Sequence, residues 1–88
     1  MLYKLAFVKA SKHRTNIVKS LHRCNKTPKE LSIELSVHQK TIYVTLRQLR
    51  DQEIVEVINP EVRKGRLYKL TDLGDEIAEK LSINEKSV

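Results

Sequence analysis

The chain has 88 residues, 40% of them hydrophobic, and a formal net charge of +6, which points to one small domain with little spare stability and no large catalytic cavity. Its 2 glycines and 1 cysteine exclude a glycine-rich phosphate cradle, an internal disulfide and a paired-cysteine metal knuckle. Residues 1–50 carry 11 Lys/Arg against 2 Asp/Glu, whereas residues 51–88 carry 6 against 9, so the positive field belongs to the N-terminal half, and a basic face is the usual footprint of a phosphate backbone.

Along the chain, Leu2, Leu5, Ala6 and Val8 have helix spacing while Tyr3, Leu5 and Phe7 alternate as in a strand; a helix is the reading adopted for 2–10. Ser11 is placed to cap a second helix over about 12–24, with Ile17, Val18 and Leu21 as its apolar stripe and Lys12, Arg14, Lys19 and Arg23 as solvated surface. Neither Gly nor Pro separates these segments, which leaves one continuous helix open. Asn25-Lys26 closes it, and Thr27-Pro28-Lys29-Glu30 starts the next: Thr27 accepts from the Glu30 amide, Glu30 reaches back, and proline fits where its missing N–H has no partner to lose. Leu31 and Leu35 point inward, and that short helix ends near Ser36.

The next helix runs from 38 or 39 to 52, because Ile42, Leu46 and Leu49 fall on one buried line. Its other side then offers Gln39, Lys40, Tyr43, Val44 and Arg47, with His38 in the exposed first turn. Ile54 to Ile58 is β-branched and reads as a strand, 59–65 as a loop with a basic tip at Arg63 and Lys64, and Arg66 to Leu70 as the returning strand. Thr71 caps a last helix, with Asp72, Asp75 and Glu76 near its positive end and Leu73, Ile77, Ala78 and Leu81 on its apolar face; residues 83–88 are a frayed tail.

After the segment 2–10, three helices, a two-stranded hairpin and a closing helix make a mainly α fold with a β-hairpin wing, and the chain resembles the winged helix-turn-helix superfamily of transcription regulators in its MarR-like and ArsR-like bacterial and archaeal forms. The resemblance covers roughly residues 11–82 and rests on Ser11-Lys12-His13-Arg14, Thr27-Pro28-Lys29-Glu30-Leu31, Val37 to Ile42 with Leu46 and Leu49, and above all Gly65-Arg66-Leu67-Tyr68-Lys69-Leu70-Thr71-Asp72-Leu73-Gly74. It implies that Tyr68 and Leu70 turn inward with Arg66 at the wing base. It also marks two departures: the family often has glycine between its second and third helices and after the third, where this chain has Ser36 and Glu53. His38 stands where a serine or threonine often caps the recognition helix, which would free it to touch DNA.

The expected function is sequence-specific binding of double-stranded DNA by a small transcription regulator, with the helix at about 38–52 in the major groove and the wing at 59–65 on the flanking backbone or minor groove. The candidate contacts are Lys29, His38, Gln39, Lys40, Thr41, Tyr43, Val44, Arg47, Arg63, Lys64 and Arg66. Gln39 offers an amide fork to adenine, Lys40 and Arg47 reach guanine or phosphate, and Lys29 meets phosphate at the positive start of its helix. Each also has a plainer reading: an exposed helix face, packing for Tyr43, a helix start for Thr41, a solvated loop tip for the wing. The rival function is a winged-helix adaptor for protein partners in a transcription or replication assembly.

A homodimer is expected, since one such domain reads only a few base pairs; residues 1–10, with Leu2, Leu5, Phe7 and Val8, and the face of the last helix supply apolar candidates for the contact. His13, His22 and Cys24 are metal-ligating types, and ArsR-like relatives sometimes bind metal, but on a helix His22 and Cys24 point about 200° apart, so no metal, cofactor or small-molecule effector is expected. No nucleophile triad or carboxylate pair recommends an enzyme. No apolar run approaches the roughly 18 residues of a membrane span and Met1-Leu2-Tyr3-Lys4 lacks a signal peptide's parts, so the expected location is cytoplasmic, with the nucleoid.

Overall fold

The computed structural model describes residues 2–86, with side chains as far as Ser82. The order is α1 (Leu2–Lys9), α2 (Lys12–Leu21), α3 (Pro28–Leu35), α4 (Gln39–Asp51), β1 (Val55–Val57), β2 (Tyr68–Leu70) and α5 (Asp72–Lys86), a mainly α winged helix-turn-helix. Ile17, Val18 and Leu21 of α2, Leu31 of α3, Ile42, Leu46 and Leu49 of α4 and Ile77, Ala78 and Leu81 of α5 share one core with Ile54, Val55, Tyr68 and Leu70 of the hairpin. Among the described residues no helix is long and apolar enough to cross a membrane.

Local signals set most helix starts. The Ser11 hydroxyl accepts from the Arg14 amide at 3.3 Å, and extended backbone at Ser11 separates α1 from α2, so the two are distinct helices. At Thr27 the full reciprocal box is present: the Glu30 amide donates to Thr27 Oγ1 at 3.2 Å and the Thr27 amide to Glu30 Oε1 at 2.9 Å. Thr71 Oγ1 accepts from the Gly74 amide at 3.1 Å and donates to the carbonyls of Glu53 and Ile54, so the cap of α5 also fastens it to the end of α4.

Several boundaries differ from the sequence expectation. Helix α2 ends at Leu21 and not near Cys24, because Arg23 turns left-handed with φ 64° and Lys26 pairs with Tyr68, its amide donating to Tyr68 O at 3.1 Å and its carbonyl accepting from the Tyr68 amide at 2.9 Å. Residue 26 therefore adds a one-residue third strand to the wing. The strands are shorter than 54–58 and 66–70, with register Val55↔Leu70, Glu56↔Lys69 and Val57↔Tyr68. Beyond them one backbone bond remains, from the Ile58 amide to Leu67 O at 2.9 Å, and then the Asn59 side chain takes over, Oδ1 accepting from the Leu67 amide at 2.7 Å and Nδ2 donating to Gly65 O at 3.3 Å. The expected tail from 83 is helical to Lys86; residues 87 and 88 lie outside the described residues, as does Met1.

Ser36 and Glu53 adopt the backbone that glycine would serve, at φ 54° and 60°. After α3 the Val37 amide reaches Ser32 O at 3.1 Å and the Ser36 amide reaches Ile33 O; after α4 the Ile54 amide reaches Leu49 O and the Glu53 amide Arg50 O, both at 2.9 Å. Both are paired closures of the Schellman type, with half-buried Val37 and fully buried Ile54 as the apolar residue that follows. The turn geometry is thus held without glycine, at the steric cost of a Cβ in the left-handed region. Replacing Ser36 or Glu53 by glycine is expected to stabilise the chain by about 0.5–1 kcal/mol each, read as a higher thermal midpoint; an unchanged or lower midpoint for both would show that these turns carry no strain.

Lys26 also ties the wing side to the helix-turn-helix. Its ammonium pairs with Glu34 of α3 and donates to Ser20 Oγ at 2.9 Å, while Ser20 donates to Glu34 Oε2 at 2.7 Å. Hydrogen bonds from Lys26 and Ser20 hold the Glu34 carboxyl below its usual range.

Candidate nucleic-acid interface

The apolar stripe of α4 is buried and its other side is open. Ile42, Leu46 and Leu49 are 1% exposed or less, whereas Tyr43 is 53% and Val44 51% exposed. Gln39, Lys40 and Arg47 are exposed with them, and Thr41 is half-buried, its carbonyl accepting from the Thr45 hydroxyl at 2.8 Å. Thr41 is therefore the least accessible of the α4 candidates. Lys29 is exposed in the first turn of α3, two residues after the Thr27 cap.

His38 is not released from capping as the missing serine or threonine suggested. Its Nδ1 accepts from the Lys40 amide at 3.1 Å, so the imidazole performs the cap itself. In the neutral ring the N–H is then at Nε2, on a side chain that stays exposed.

Arg63 and Lys64 are exposed at the tip of the wing. Arg66 is spent differently: its Nε donates to Val62 O at 2.8 Å and Nη2 to Pro60 O at 3.2 Å. It stiffens the loop that carries the tip and is half-buried, so its free donor capacity is less than the sequence suggested. Tyr68 and Leu70 are buried as the resemblance implied, at 7% and 5% exposure.

One open cleft of about 490 Å³ joins the two elements, lined by Tyr43, Arg47, Arg50 and Asp51 of α4 and by Arg66 and Tyr68 of the wing. Three guanidinium groups border it. Arg50 is exposed and lines this cleft without being among the sequence candidates, because on a helical projection it falls between the buried stripe and the outer face; only the approach of the wing brings its side of α4 beside Arg66. A signal was available in its spacing, since Arg47 and Arg50 are three apart and neighbours on a helix.

His22 and Cys24 sit in the turn after α2 and not on a helix, and among the described residues no group of three or more His, Cys, Asp or Glu is placed to hold a metal ion.

The fold is shared with known regulators. It superposes on an apo mutant of ZitR from Lactococcus lactis with a TM-score of 0.80 at 15% identity, over 98% of this chain and 65% of that one. The adhesin competence repressor AdcR from Streptococcus pyogenes gives 0.78 at 17% identity, over 98% and 69%. The transcriptional repressor BigR from Xylella fastidiosa gives 0.77 at 21%, over 94% and 81%. Against another ZitR structure the match covers 88% of this chain and 53% of that one, so the chain spans about half the length of that relative. No curated protein matches the sequence. Residues 11–57, more than half of the chain and including α2, α3, α4 and β1, match the bacterial regulatory proteins of the arsR family. The chain belongs to the ArsR family of bacterial regulatory proteins, with the winged helix-turn-helix of a DNA-binding transcription regulator.

Proposed function

We propose that the protein binds double-stranded DNA sequence-specifically, with the outer face of α4 in the major groove and the wing on the flanking backbone or minor groove. The observation that carries this reading is the cleft lined by Arg47, Arg50 and Arg66 with the single carboxylate of Asp51, which joins the predominantly basic side of α4 to the wing base. A protein adaptor needs no such continuity of positive charge. Within this reading Gln39, Lys40, Tyr43, Val44 and Arg47 meet base edges and nearby phosphates, His38 and Lys29 lie along the backbone, Arg50 joins Arg47 in facing phosphate, and Arg66 acts through the loop it braces.

The unit that reads DNA is 11–82, and a homodimer reading two half-sites about one helical turn apart is part of the proposal. For the dimer contact the structure leaves less of the N-terminal segment than its composition offers. Val8 is fully buried in the chain's own core and Leu5 and Phe7 pack against it, while Leu2 and Tyr3 are 81% and 73% exposed. Ile77, Ala78 and Leu81 of α5 are likewise internal. The exposed start of α1 is therefore the patch assigned to the second copy.

Titration against duplex DNA at two salt concentrations tests the wing. Replacing Arg63 and Lys64 by alanine is expected to weaken binding similarly on all sequences and to reduce the slope of log K against log salt by up to about one unit for each cation. An unaltered slope would remove the wing from the interface, and failure of the wild-type chain to bind random duplex at low salt would favour the adaptor.

A further inference from the structure

We propose that Arg14 of α2 is a positioning residue for DNA reading: its guanidinium bridges the C-terminal end of α1 and α4, so that α1 and α2 together set where the end of α4 stands. This rests on the assignment of α4 as the DNA-contacting helix.

By composition Arg14 belongs to a solvated basic surface, but the structure spends it internally. Its Nη1 donates to Phe7 O at 2.8 Å and its Nε to Gln48 Oε1 at 3.1 Å. Its central carbon lies 3.9 Å from the centroid of the Phe7 ring. The guanidinium therefore satisfies a carbonyl at the end of α1, where helix carbonyls lack partners of their own, stacks on an α1 aromatic, and grips a side chain of α4. A planar fork is needed to do all three, and an ammonium cannot reproduce it.

Gln48 follows Arg47 directly and is half-buried, while Arg47 is exposed. A second tether lies one turn further along: Lys4 Nζ of α1 donates to Gln52 O at 2.7 Å, where a cation complements the helix C-terminus. The C-terminal end of α4 is thus tied to α1 twice, at Gln48 through Arg14 of α2, which also holds Phe7 of α1, and at the capping residue Gln52 directly through Lys4. Groups that read bases must be held within about 0.5 Å and 10–20° of their working geometry by supporting contacts. Attraction to phosphates tolerates small reorientation, because it is mainly a matter of charge. Loss of the Arg14 strut should therefore reduce discrimination between sequences more than general affinity.

The test uses the full chain, a duplex selected from a random pool by the wild type, and an unrelated duplex at the same salt. Arg14→Lys keeps the charge and loses the fork; Gln48→Ala removes the α4 partner. For each we expect the ratio of selected to unrelated affinity to fall about ten-fold, with the unrelated-duplex affinity and salt slope unchanged and the fold retained by circular dichroism. The double variant should fall no further than the worse single one, because both remove the same contact. Amide hydrogen exchange on the free protein gives a readout independent of DNA: exchange at 48–52 should rise in both variants. If Arg14→Lys does not fold, Gln48→Ala carries the test alone. Folded variants with wild-type discrimination, or with wild-type exchange across α4, overturn the proposal. A wild-type chain that does not discriminate between duplexes sinks the DNA reading instead, and raised exchange at 48–52 in the variants would still uphold the strut.

Discussion

Gly74→Ala is expected to destabilise the protein by about 3 kcal/mol, lowering the thermal midpoint by roughly 10–20 °C for a domain of this size. In an unconstrained helix the same change adds about 0.5–1 kcal/mol of stability, so the sign itself is diagnostic. Gly74 lies in the first turn of α5, and a Cβ there would meet Ile54 O at 2.3 Å and Leu70 Cβ at 3.0 Å. Neither neighbour can yield. Ile54 O already accepts from the Thr71 amide at 3.0 Å and from the Thr71 hydroxyl at 3.1 Å, and Leu70 is buried in the hairpin. Relief requires moving α5 off β1 and β2, which opens the core at Ile77 and Ala78. A Gly74→Ala protein that melts at or above the wild-type temperature, followed by circular dichroism, would show that this approach of backbones is not what the residue is for.

Replacing Lys40 or Arg47 by alanine should raise the Kd for a selected duplex by about 5- to 150-fold for each true base contact, corresponding to about 1–3 kcal/mol. Stability should stay within about 0.5 kcal/mol of wild type, since both residues are exposed on the side of α4 opposite Ile42, Leu46 and Leu49. Separating these two measurements matters. A loss of binding with an unchanged melting curve belongs to the interface, whereas parallel losses would report a damaged fold. Duplex affinity unchanged in the Lys40→Ala, Arg47→Ala double variant would end the assignment of α4 as the reading helix. Replacing Arg50 alone gives a contrast, because a phosphate partner weakens binding evenly across sequences while a base contact relaxes specificity at one position.

The order of helices and hairpin was legible in the residues because its signals are short-ranged. The Thr27–Glu30 box closes within four residues, the stripe of Ile42, Leu46 and Leu49 repeats every turn, and the β-branched run at 54–58 stands beside a turn sequence. The outward set on α4 followed from that stripe, since a helix with one face buried must expose the other. Ser36 and Glu53 looked like departures from a glycine pattern, yet both take the left-handed backbone: the paired bonds and the apolar residue that follows each one outweigh the preference of the side chain.

What residues within a few positions of one another decide was thus readable from the chain alone: caps, stripes, strands, and the concentration of cationic residues before residue 51. Tertiary structure decided whatever needs a partner far along the chain. Lys26 becomes a strand only because Tyr68 arrives beside it, Arg14 is half-buried because Phe7 and Gln48 converge on it, and Arg66 turns back into its own loop. Arg50 joins a basic cleft only when the wing folds against α4. The physical reason is that an exposed cation, a strand residue or a glycine carries no local mark of what will lie opposite it; that is set by how the helices pack, and packing places together groups that the sequence keeps tens of residues apart.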